Sequence, residues 1–230
     1  MDTPLDWDAI DLVVFDVDGT LYEARPLRGA IARRLLLEAW RSRSLHVARV
    51  LRAFRQVREA LGEEEASDFL RLQYERTAQQ VGAQACEVRR LVHEWMERRP
   101  LPLLRACRAP RVERVFDALR AAGKRVAVLS DYPAHDKLCA LELQADLVVC
   151  ASDPGIGRLK PDPRGLHALL LRSGVPAART LVVGDRLDRD VAVARRAGTQ
   201  ALLRSRHRQE GVPTFHHYDE APWQPLLAAG

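Results

Sequence analysis

The sequence predicts an α/β fold, in which a parallel β-sheet lies between layers of helices and a block of helices interrupts the chain after the first strand. Three observations support this prediction. A short apolar run, 10–15, is followed at once by acidic residues. The stretch 26–99 shows only helical periodicity, and after Pro110 short apolar runs alternate with helical segments. Such alternation is typical of parallel sheets, because parallel strands need crossover helices between them.

The first predicted strand, 10–15, ends at Asp16, and the helical insert begins near Pro26. Apolar side chains recur at helical spacing from Val47 to Leu61, and the arginines of this segment are assigned to the other faces of the helix. Those arginines are Arg49, Arg52, Arg55 and Arg58. The insert is predicted to hold four helices, around 28–42, 47–61, 64–81 and 84–98.

Pro100 and Pro102 stop the helical pattern and predict a hinge or linker. After this point the predicted helices are 111–122, 134–143, 163–173 and 188–197, and the predicted strands are 125–129, 147–150, 180–183 and 200–203. The tail after Ser205 is weakly patterned, with an edge strand predicted at 215–218.

These elements predict two structural units. An α/β core is expected to consist of 1–24 and 101–230, and a helical cap is expected over 25–100. The sequence shows no internal repeat or low-complexity segment that would favour another organisation.

The composition is ordinary for a soluble globular protein, with 47% hydrophobic and 29% charged residues among 230. No apolar run approaches the roughly 18 residues of a membrane-spanning helix. The N-terminus is acidic and interrupted by Pro4, unlike a signal peptide, so we expect a cytoplasmic protein without a membrane partner. The net charge is +5, but the arginines are spread along helical faces, so nucleic acid is not an expected partner. The four cysteines form no CxxC pair, which predicts neither a disulfide framework nor a zinc site.

Polar residues follow several of the predicted strands. Asp16 and Asp18 follow the first strand, Ser130 and Asp185 follow two later ones, and Lys160 lies in a loop just before a helix. Functional groups in parallel α/β sheets gather at the carboxyl ends of the strands. We therefore expect these five side chains to meet at one edge of the sheet.

The residue types suit phosphoryl transfer. Asp16 would attack phosphorus, and Asp18 would protonate the leaving oxygen and then activate water. Mg²⁺ prefers oxygen ligands, which Asp16, the backbone carbonyl of Asp18 and Asp185 could supply. Ser130 would donate a hydrogen bond to the phosphate. Lys160 would place a positive charge beside it, and Asp190 could support the metal site indirectly.

Each of these signals is weak by itself. A lone Asp-Val-Asp-Gly-Thr could be an acidic turn or part of a calcium loop. Ser130 could be only a helix cap, and Lys160 could be a solvated loop residue. Asp131 could belong to the site or cap the following helix. The ordered set, at the ends of successive strands, carries the prediction.

The same residues resemble the motifs of the haloacid dehalogenase superfamily. The motifs occur in order as 16–20 (Asp-Val-Asp-Gly-Thr), Ser130, Lys160-Pro161 and the segment 184–190 (Gly-Asp-Arg-Leu-Asp-Arg-Asp). The likeness extends over roughly the whole chain and is greatest to the C1-capped, phosphoglycolate-phosphatase-like branch. It implies a Rossmann-like core, a cap that closes over small substrates, and dependence on Mg²⁺. Family dehalogenases lack the second acid and need no metal, so Asp18 indicates a phosphatase.

The resulting hypothesis is a Mg²⁺-dependent phosphatase that acts on a small phosphorylated metabolite through an aspartyl-phosphate on Asp16. The alternatives are a phosphomutase with the same chemistry, and a catalytically silent binding or regulatory module. Arg25 or Arg28 could bind a second anionic group of the substrate, although solvated arginines are common. The tryptophans of the insert, Trp40 and Trp95, are predicted to lie in the cap core.

Overall fold

Six parallel strands form a single sheet in the computed structural model, which describes residues 5–228. The strands are β1 (Leu12–Phe15), β2 (Arg125–Ser130), β3 (Leu147–Cys150), β4 (Thr180–Gly184), β5 (Gln200–Arg204) and β6 (Thr214–Phe215). Their order is β3-β2-β1-β4-β5-β6. Phe15 lies opposite Val128 on one side and Val183 on the other. The carboxyl ends of the three central strands therefore meet at one edge.

Helices cover both faces of this sheet. From residue 112 onward the helices are α6 (Val112–Ala121), α7 (His135–Leu141), α8 (Arg164–Ser173), α9 (Ala192–Ala197) and α10 (Gln224–Ala228). Shorter turns are 3-10 helical at Trp7–Ala9 and Ala177–Arg179 and π-helical at Leu187–Val191. Phe15 and Phe116 pack on one face of the sheet, with ring centroids 4.8 Å apart, and Val14 and Leu166 belong to the apolar cluster on the other. The predicted α/β fold with a parallel sheet is confirmed.

The inserted segment is helical, as predicted. Its helices are α1 (Ala24–Ser42), α2 (His46–Glu63), α3 (Phe69–Val81) and α4 (Ala85–Val92), and a π-helical turn (His93–Arg98) continues the last one. We call α1 to α4 the cap helices. Phe54 and Tyr74 pack between α2 and α3, with ring centroids 5.2 Å apart. The cap helices thus have an apolar core of their own.

The chain leaves the sheet and returns to it at one place. Tyr22 and Arg108 form an isolated antiparallel bridge. The N–H of Glu23 donates to Cys107 O (2.7 Å), and the N–H of Ala109 donates to Leu21 O (3.0 Å). The division into a core (1–24 and 101–230) and a cap (25–100) remains a prediction, and residues 1–4 and 229–230 of that core lie outside the described residues.

One part of the predicted linker is wrong. The chain forms a further helix, α5 (Leu101–Cys107), directly after Pro100. Pro102 lies in its first turn, where a missing N–H costs no intrahelical hydrogen bond. Leu104 and Cys107 anchor this helix in the core. The prolines therefore start a helix after the insert instead of forming an extended linker.

Two side chains of the cap helices differ from the sequence-based prediction. Trp95 is buried, as predicted, but Trp40 on α1 is 80% exposed. Arg58, assigned to a solvated face of α2, is only 7% exposed. In helical spacing Arg58 follows Leu51 and Phe54 by seven and four positions, which places it on the apolar stripe.

Among residues 5–228, no helix is both long enough and apolar enough to cross a bilayer.

Candidate active site

Asp16 lies directly after β1 at the carboxyl edge of the sheet. Its N–H donates to Val183 O (2.8 Å), so the backbone still follows the sheet at this residue. The carboxyl group is buried, with the residue 8% exposed. One oxygen accepts a hydrogen bond from Thr20 Oγ1 (3.1 Å) and the other from Lys160 Nζ (2.7 Å). These contacts hold the Asp16 carboxylate in one orientation.

Lys160 joins two carboxylates. Its Nζ also donates to Asp190 Oδ1 (2.5 Å), and the residue is 5% exposed. Burial lowers the pKa of Lys160, but the charges of Asp16 and Asp190 outweigh this and hold the pKa well above its usual value. Lys160 therefore stays charged although its side chain is buried.

Asp190 is fixed by the loop that it helps to build. Its Oδ2 accepts hydrogen bonds from the N–H groups of Asp185 (3.1 Å) and Arg186 (3.0 Å), while Oδ1 receives Lys160. A Cβ at Gly184 would lie 2.2 Å from Asp190 Cγ. Only glycine leaves room for this close approach. Both Asp190 oxygens have hydrogen-bond donors, which suits a positioning role.

Asp185 lies against the turn that follows β1. A Cβ at Gly19 would lie 2.1 Å from Asp185 Oδ2, and Gly19 has a positive φ of 99°. Glycine is therefore required twice over in this turn, for its backbone conformation and for its missing side chain. Burial and the charge of Asp190 raise the pKa of Asp185 to about 6.

The cluster is short of positive charge. Carboxylate oxygens of Asp16, Asp185 and Asp190 all lie within 4.8 Å of one another, with Lys160 as their close cation. Burial raises the pKa of Asp16 well above its usual range; Lys160 lowers it, and the neighbouring carboxylates raise it again. Because hard oxygen donors and unbalanced negative charge favour a divalent cation, the residues present fit a metal site.

Asp18 points to a different partner from Asp16. Its two carboxylate oxygens accept hydrogen bonds from Lys137 Nζ at 2.6 and 2.7 Å, and Tyr22 Oη donates to one of them. Burial favours the protonated form of Asp18, but Lys137 and Tyr22 reverse this effect and lower its pKa. The lowered pKa favours the ionised form of Asp18, and its carboxylate lies outside the acidic cluster of Asp16, Asp185 and Asp190.

Ser130 ends β2 beside these groups and is 1% exposed. Its Oγ accepts a hydrogen bond from the N–H of Tyr132 (3.2 Å), which uses an oxygen lone pair and not the hydroxyl proton. The neighbouring Asp131 accepts a hydrogen bond from the N–H of Lys160 (2.9 Å). Asp131 therefore fixes the loop that carries Lys160, which neither of its two sequence-based interpretations had specified.

The end of β5 and the C-terminal tail together support the turn after β1. Tyr218 Oη donates to Thr20 O (3.1 Å), and Arg204 donates to Gly19 O (2.8 Å) and pairs with Glu23. Sequence reasoning left this tail without a role, because the supporting residues are far from the motif along the chain. These contacts hold the turn after β1 in place.

The cap helices contact the same loops. Glu59 on α2 forms a two-pronged ion pair with Arg186 (2.8 and 2.9 Å). Arg189, 5% exposed, donates to Glu59 O (3.1 Å) and to Lys160 O (2.6 Å). Arg189 therefore connects a cap helix to the backbone of the buried lysine.

The structure brings together Asp16, Lys160 and Asp185 as expected, with Ser130 at the adjacent strand end. Their roles stay predictions. Sequence reasoning missed Lys137, Arg58 and Arg189 as parts of this region, whereas it places Tyr22 among the residues that could meet a substrate. A usable signal existed only for Arg58, an arginine at an apolar-stripe position of α2.

Sequence comparison decides the family. The sequence model of the haloacid dehalogenase-like hydrolases matches residues 10–198. The chain belongs to this family. A phosphoglycolate phosphatase of Rhodospirillum rubrum is 32% identical, over 84% of this chain and 78% of the relative. A GMP/IMP nucleotidase of Escherichia coli is 26% identical, over 78% of this chain and 76% of the relative. The chain is therefore a hydrolase, and its named relatives are phosphatases that act on phosphoric monoesters, the predicted enzyme class.

Solved structures of the family share the fold. A 2-haloacid dehalogenase from Pseudomonas syringae superposes with a TM-score of 0.63 at 22% identity, covering 96% of this chain and 98% of that one. A haloacid dehalogenase-family phosphatase from Thermococcus onnurineus gives a TM-score of 0.56 at 17% identity, covering 91% and 95%. At these identities the likeness concerns the fold alone, which confirms the predicted Rossmann-like core with an inserted cap.

Proposed function

We propose that the chain is a Mg²⁺-dependent phosphatase that hydrolyses a small phosphomonoester through an aspartyl-phosphate on Asp16. The observation that carries this proposal is the buried Asp16 carboxylate, fixed by Thr20 and Lys160 at the carboxyl edge of the sheet. A carboxylate held in one orientation can attack phosphorus in line with the leaving oxygen. Lys160 offsets the charge that gathers on the phosphoryl oxygens.

The reaction has two halves. Asp16 Oδ forms a bond to phosphorus while the bond from phosphorus to the ester oxygen breaks, and Asp18 gives a proton to that oxygen. Water then attacks the phosphorus of the aspartyl-phosphate. Asp18 takes its proton, the acyl–phosphate P–O bond breaks, and inorganic phosphate leaves. Ser130 donates a hydrogen bond from its hydroxyl group to a phosphoryl oxygen in both halves.

Asp18 needs two protonation states for these roles. Paired with Lys137, it has a lowered pKa and suits the second half, in which it accepts a proton. A leaving group that draws Lys137 away removes the main charge that lowers this pKa. Burial then dominates and favours protonated Asp18, the state that the first half requires.

Asp16 and Asp185 would hold the Mg²⁺, together with the backbone carbonyl of Asp18, while Asp190 positions Lys160 and the 184–186 loop. The bound ion supplies positive charge that lets an anionic carboxylate approach an anionic phosphate. The raised pKa of Asp185, about 6, supports a site that needs such a charge.

The substrate is proposed to be a small phosphorylated metabolite, as the names of the two relatives suggest for those proteins. The cytoplasmic location and the absence of nucleic-acid and membrane partners remain predictions.

Phosphate release from a panel of small phosphomonoesters, in Mg²⁺ and in EDTA, tests the proposal. We expect release that depends on Mg²⁺ and is abolished in Asp16→Asn. Asp117→Asn is the matched control, because it makes the same change of charge on an exposed side chain of α6. Normal turnover by Asp16→Asn would refute the role of Asp16. A hexose 1-phosphate in the panel separates the phosphomutase, since that enzyme yields the 6-phosphate and no inorganic phosphate.

A further inference from the structure

Three arginines are buried among residues 5–228, and Arg58 differs from the other two. Arg189 is 5% exposed and pairs with Glu59 (3.1 Å), and Arg204 is 7% exposed and pairs with Glu23. Arg58 is 7% exposed, and no ion pair joins it to a carboxylate of the described residues. A guanidinium that is shielded from water without a counter-charge is unfavourable, so this position calls for an explanation.

The contacts of Arg58 do not supply the missing charge. Its guanidinium carbon lies 3.9 Å from the ring centroid of Tyr132 and 5.3 Å from that of Phe69. One terminal nitrogen donates to the backbone oxygen of Asp131, while Nε is buried and has no partner in the described part of the chain. Aromatic faces and a carbonyl offset part of the cost of burial. Burial raises the pKa of the Asp131 carboxyl and the charge of Arg58 lowers it, but no carboxylate of the described residues forms an ion pair with the guanidinium, and Nε keeps no partner there.

Arg58 lies near the residues that would contact the leaving group of a phosphomonoester. Tyr132, on which it stacks, donates its N–H to Ser130 Oγ (3.2 Å). The ring of Tyr132 also lies 5.2 Å from Lys137 Nζ, the cation that holds Asp18. Tyr132 is thus flanked by Arg58 of the cap helices and Lys137 of the core. An ester whose phosphate reaches Ser130 would extend its leaving group toward this pair.

We propose that Arg58 binds a second anionic group, a carboxylate or a further phosphate, on the leaving side of the substrate. The inference rests on the proposed phosphatase function and narrows its substrate to a small phosphomonoester with two anionic ends. The planar guanidinium suits such a group, because it can donate two parallel hydrogen bonds to a carboxylate or phosphate.

The geometry also distinguishes Arg58 from the arginines suggested by the sequence. Arg25 and Arg28 are both exposed on α1, where water already solvates their charge. Burial raises the pKa of Tyr22 and the charge of Arg28 lowers it, so Arg28 lies near the tyrosine that donates to Asp18. Of these three arginines, only Arg58 is buried, and within residues 5–228 it has no ion pair and an Nε without a partner. This difference makes Arg28 a useful comparison in the test.

The test compares kcat and KM on matched esters in Mg²⁺. The probes are phosphoglycolate, which carries a carboxylate, the bisphosphate of ethane-1,2-diol, which carries a second phosphate, and ethyl phosphate, which carries neither. For Arg58→Gln we expect kcat/KM on the preferred anionic ester to fall about 10- to 100-fold, mainly through KM, with ethyl phosphate unchanged within about twofold. Arg52→Gln, an exposed change on the same helix, should behave like the wild type.

Retained turnover of ethyl phosphate shows that Arg58→Gln is folded, and Arg58→Lys gives a second check by keeping the charge without the planar fork. We expect Arg58→Lys to recover part of the preference. Three outcomes would each overturn the inference and leave the phosphatase function intact. They are equal losses of kcat/KM on all three esters, a wild type with no preference for a second anion, and a preference that is lost in Arg28→Gln instead. No release from any ester by the folded wild type would refute the phosphatase function, and the inference with it.

Discussion

Gly62 offers a test in which two effects of one methyl group oppose each other. It lies in the last turn of α2, where glycine is a poor helix former, so alanine should favour the helix by up to about 1 kcal/mol. A Cβ at this position would, however, lie 2.0 Å from Arg189 Nη1 and 2.7 Å from Arg189 Cζ. Arg189 would have to move by more than about 1 Å to reach ordinary van der Waals contact.

The loss of the Arg189 hydrogen bonds has the larger effect on the free energy of unfolding. It is 5% exposed and donates to Lys160 O (2.6 Å) and Glu59 O (3.1 Å). Hydrogen bonds from a charged group contribute roughly 1.5–3 kcal/mol each, so losing both costs about 3–6 kcal/mol. After the gain in helix propensity, Gly62→Ala should lower the free energy of unfolding by about 2–5 kcal/mol.

Urea unfolding of Gly62→Ala, followed by circular dichroism, measures this change. Gly29→Ala is the matched control, because a Cβ at Gly29 on α1 would meet no atom within 4 Å. The control should be more stable than the wild type by about 0.5–1 kcal/mol. If both variants are stabilised alike, Arg189 does not pack against Gly62 as described.

Three further predictions follow from single features. Without substrate, Arg58→Met should leave the free energy of unfolding unchanged or raise it by up to about 2 kcal/mol, because it removes a buried unpaired charge; a fall of more than about 1 kcal/mol in urea unfolding would contradict this. In differential scanning fluorimetry, Mg²⁺ should raise the melting temperature of the wild type but not of Asp185→Asn, since an ion that binds only the folded state stabilises it; an equal rise in both would remove Asp185 from the metal site. Iodoacetamide at pH 8 should modify only the exposed cysteines until urea is added, because burial raises the pKa of the Cys150 thiol to about 11 and also raises that of Cys107. Mass spectrometry should find label on the exposed pair, Cys86 and Cys139, and label on the buried pair in the native protein would refute the described burial.

The sheet and the motif residues were predictable because their signals are local. Apolar runs mark the strands; Asp16 and Asp185 directly follow β1 and β4, and Ser130 is the last residue of β2. Parallel topology then brings those strand ends together. Nothing else is needed to place these three side chains at one edge.

The partners of the motif residues could not be predicted in this way. Lys137 is a single lysine on a short helix, and its role depends on α7 lying beside the turn after β1. The position of the Arg189 guanidinium depends on the absence of a side chain at Gly62, which lies in a separate helix. Such contacts come from tertiary packing, which composition and periodicity do not record.

Trp40 and Arg58, both on the cap helices, also show that side-chain type does not record tertiary packing. Side-chain type alone would bury the tryptophan and expose the arginine. The structure does the opposite, with Trp40 80% and Arg58 7% exposed. For Arg58 the helical spacing was informative, because positions 51, 54, 58 and 61 share one face. For Trp40 the deciding factor is that no other element covers that end of α1 in the described residues.

The bridge between Tyr22 and Arg108 affects how the insert can evolve. The chain segments on either side of the insert are hydrogen-bonded to each other, so the insert forms a loop whose ends are held together beside the sheet. The entropy of closing a loop grows only slowly with its length, so helices can be gained, lost or exchanged beyond this bridge at small cost to the sheet. Under the proposed function, recombination at this point would replace the helices that carry Arg58 and leave the Asp16 edge of the sheet unchanged.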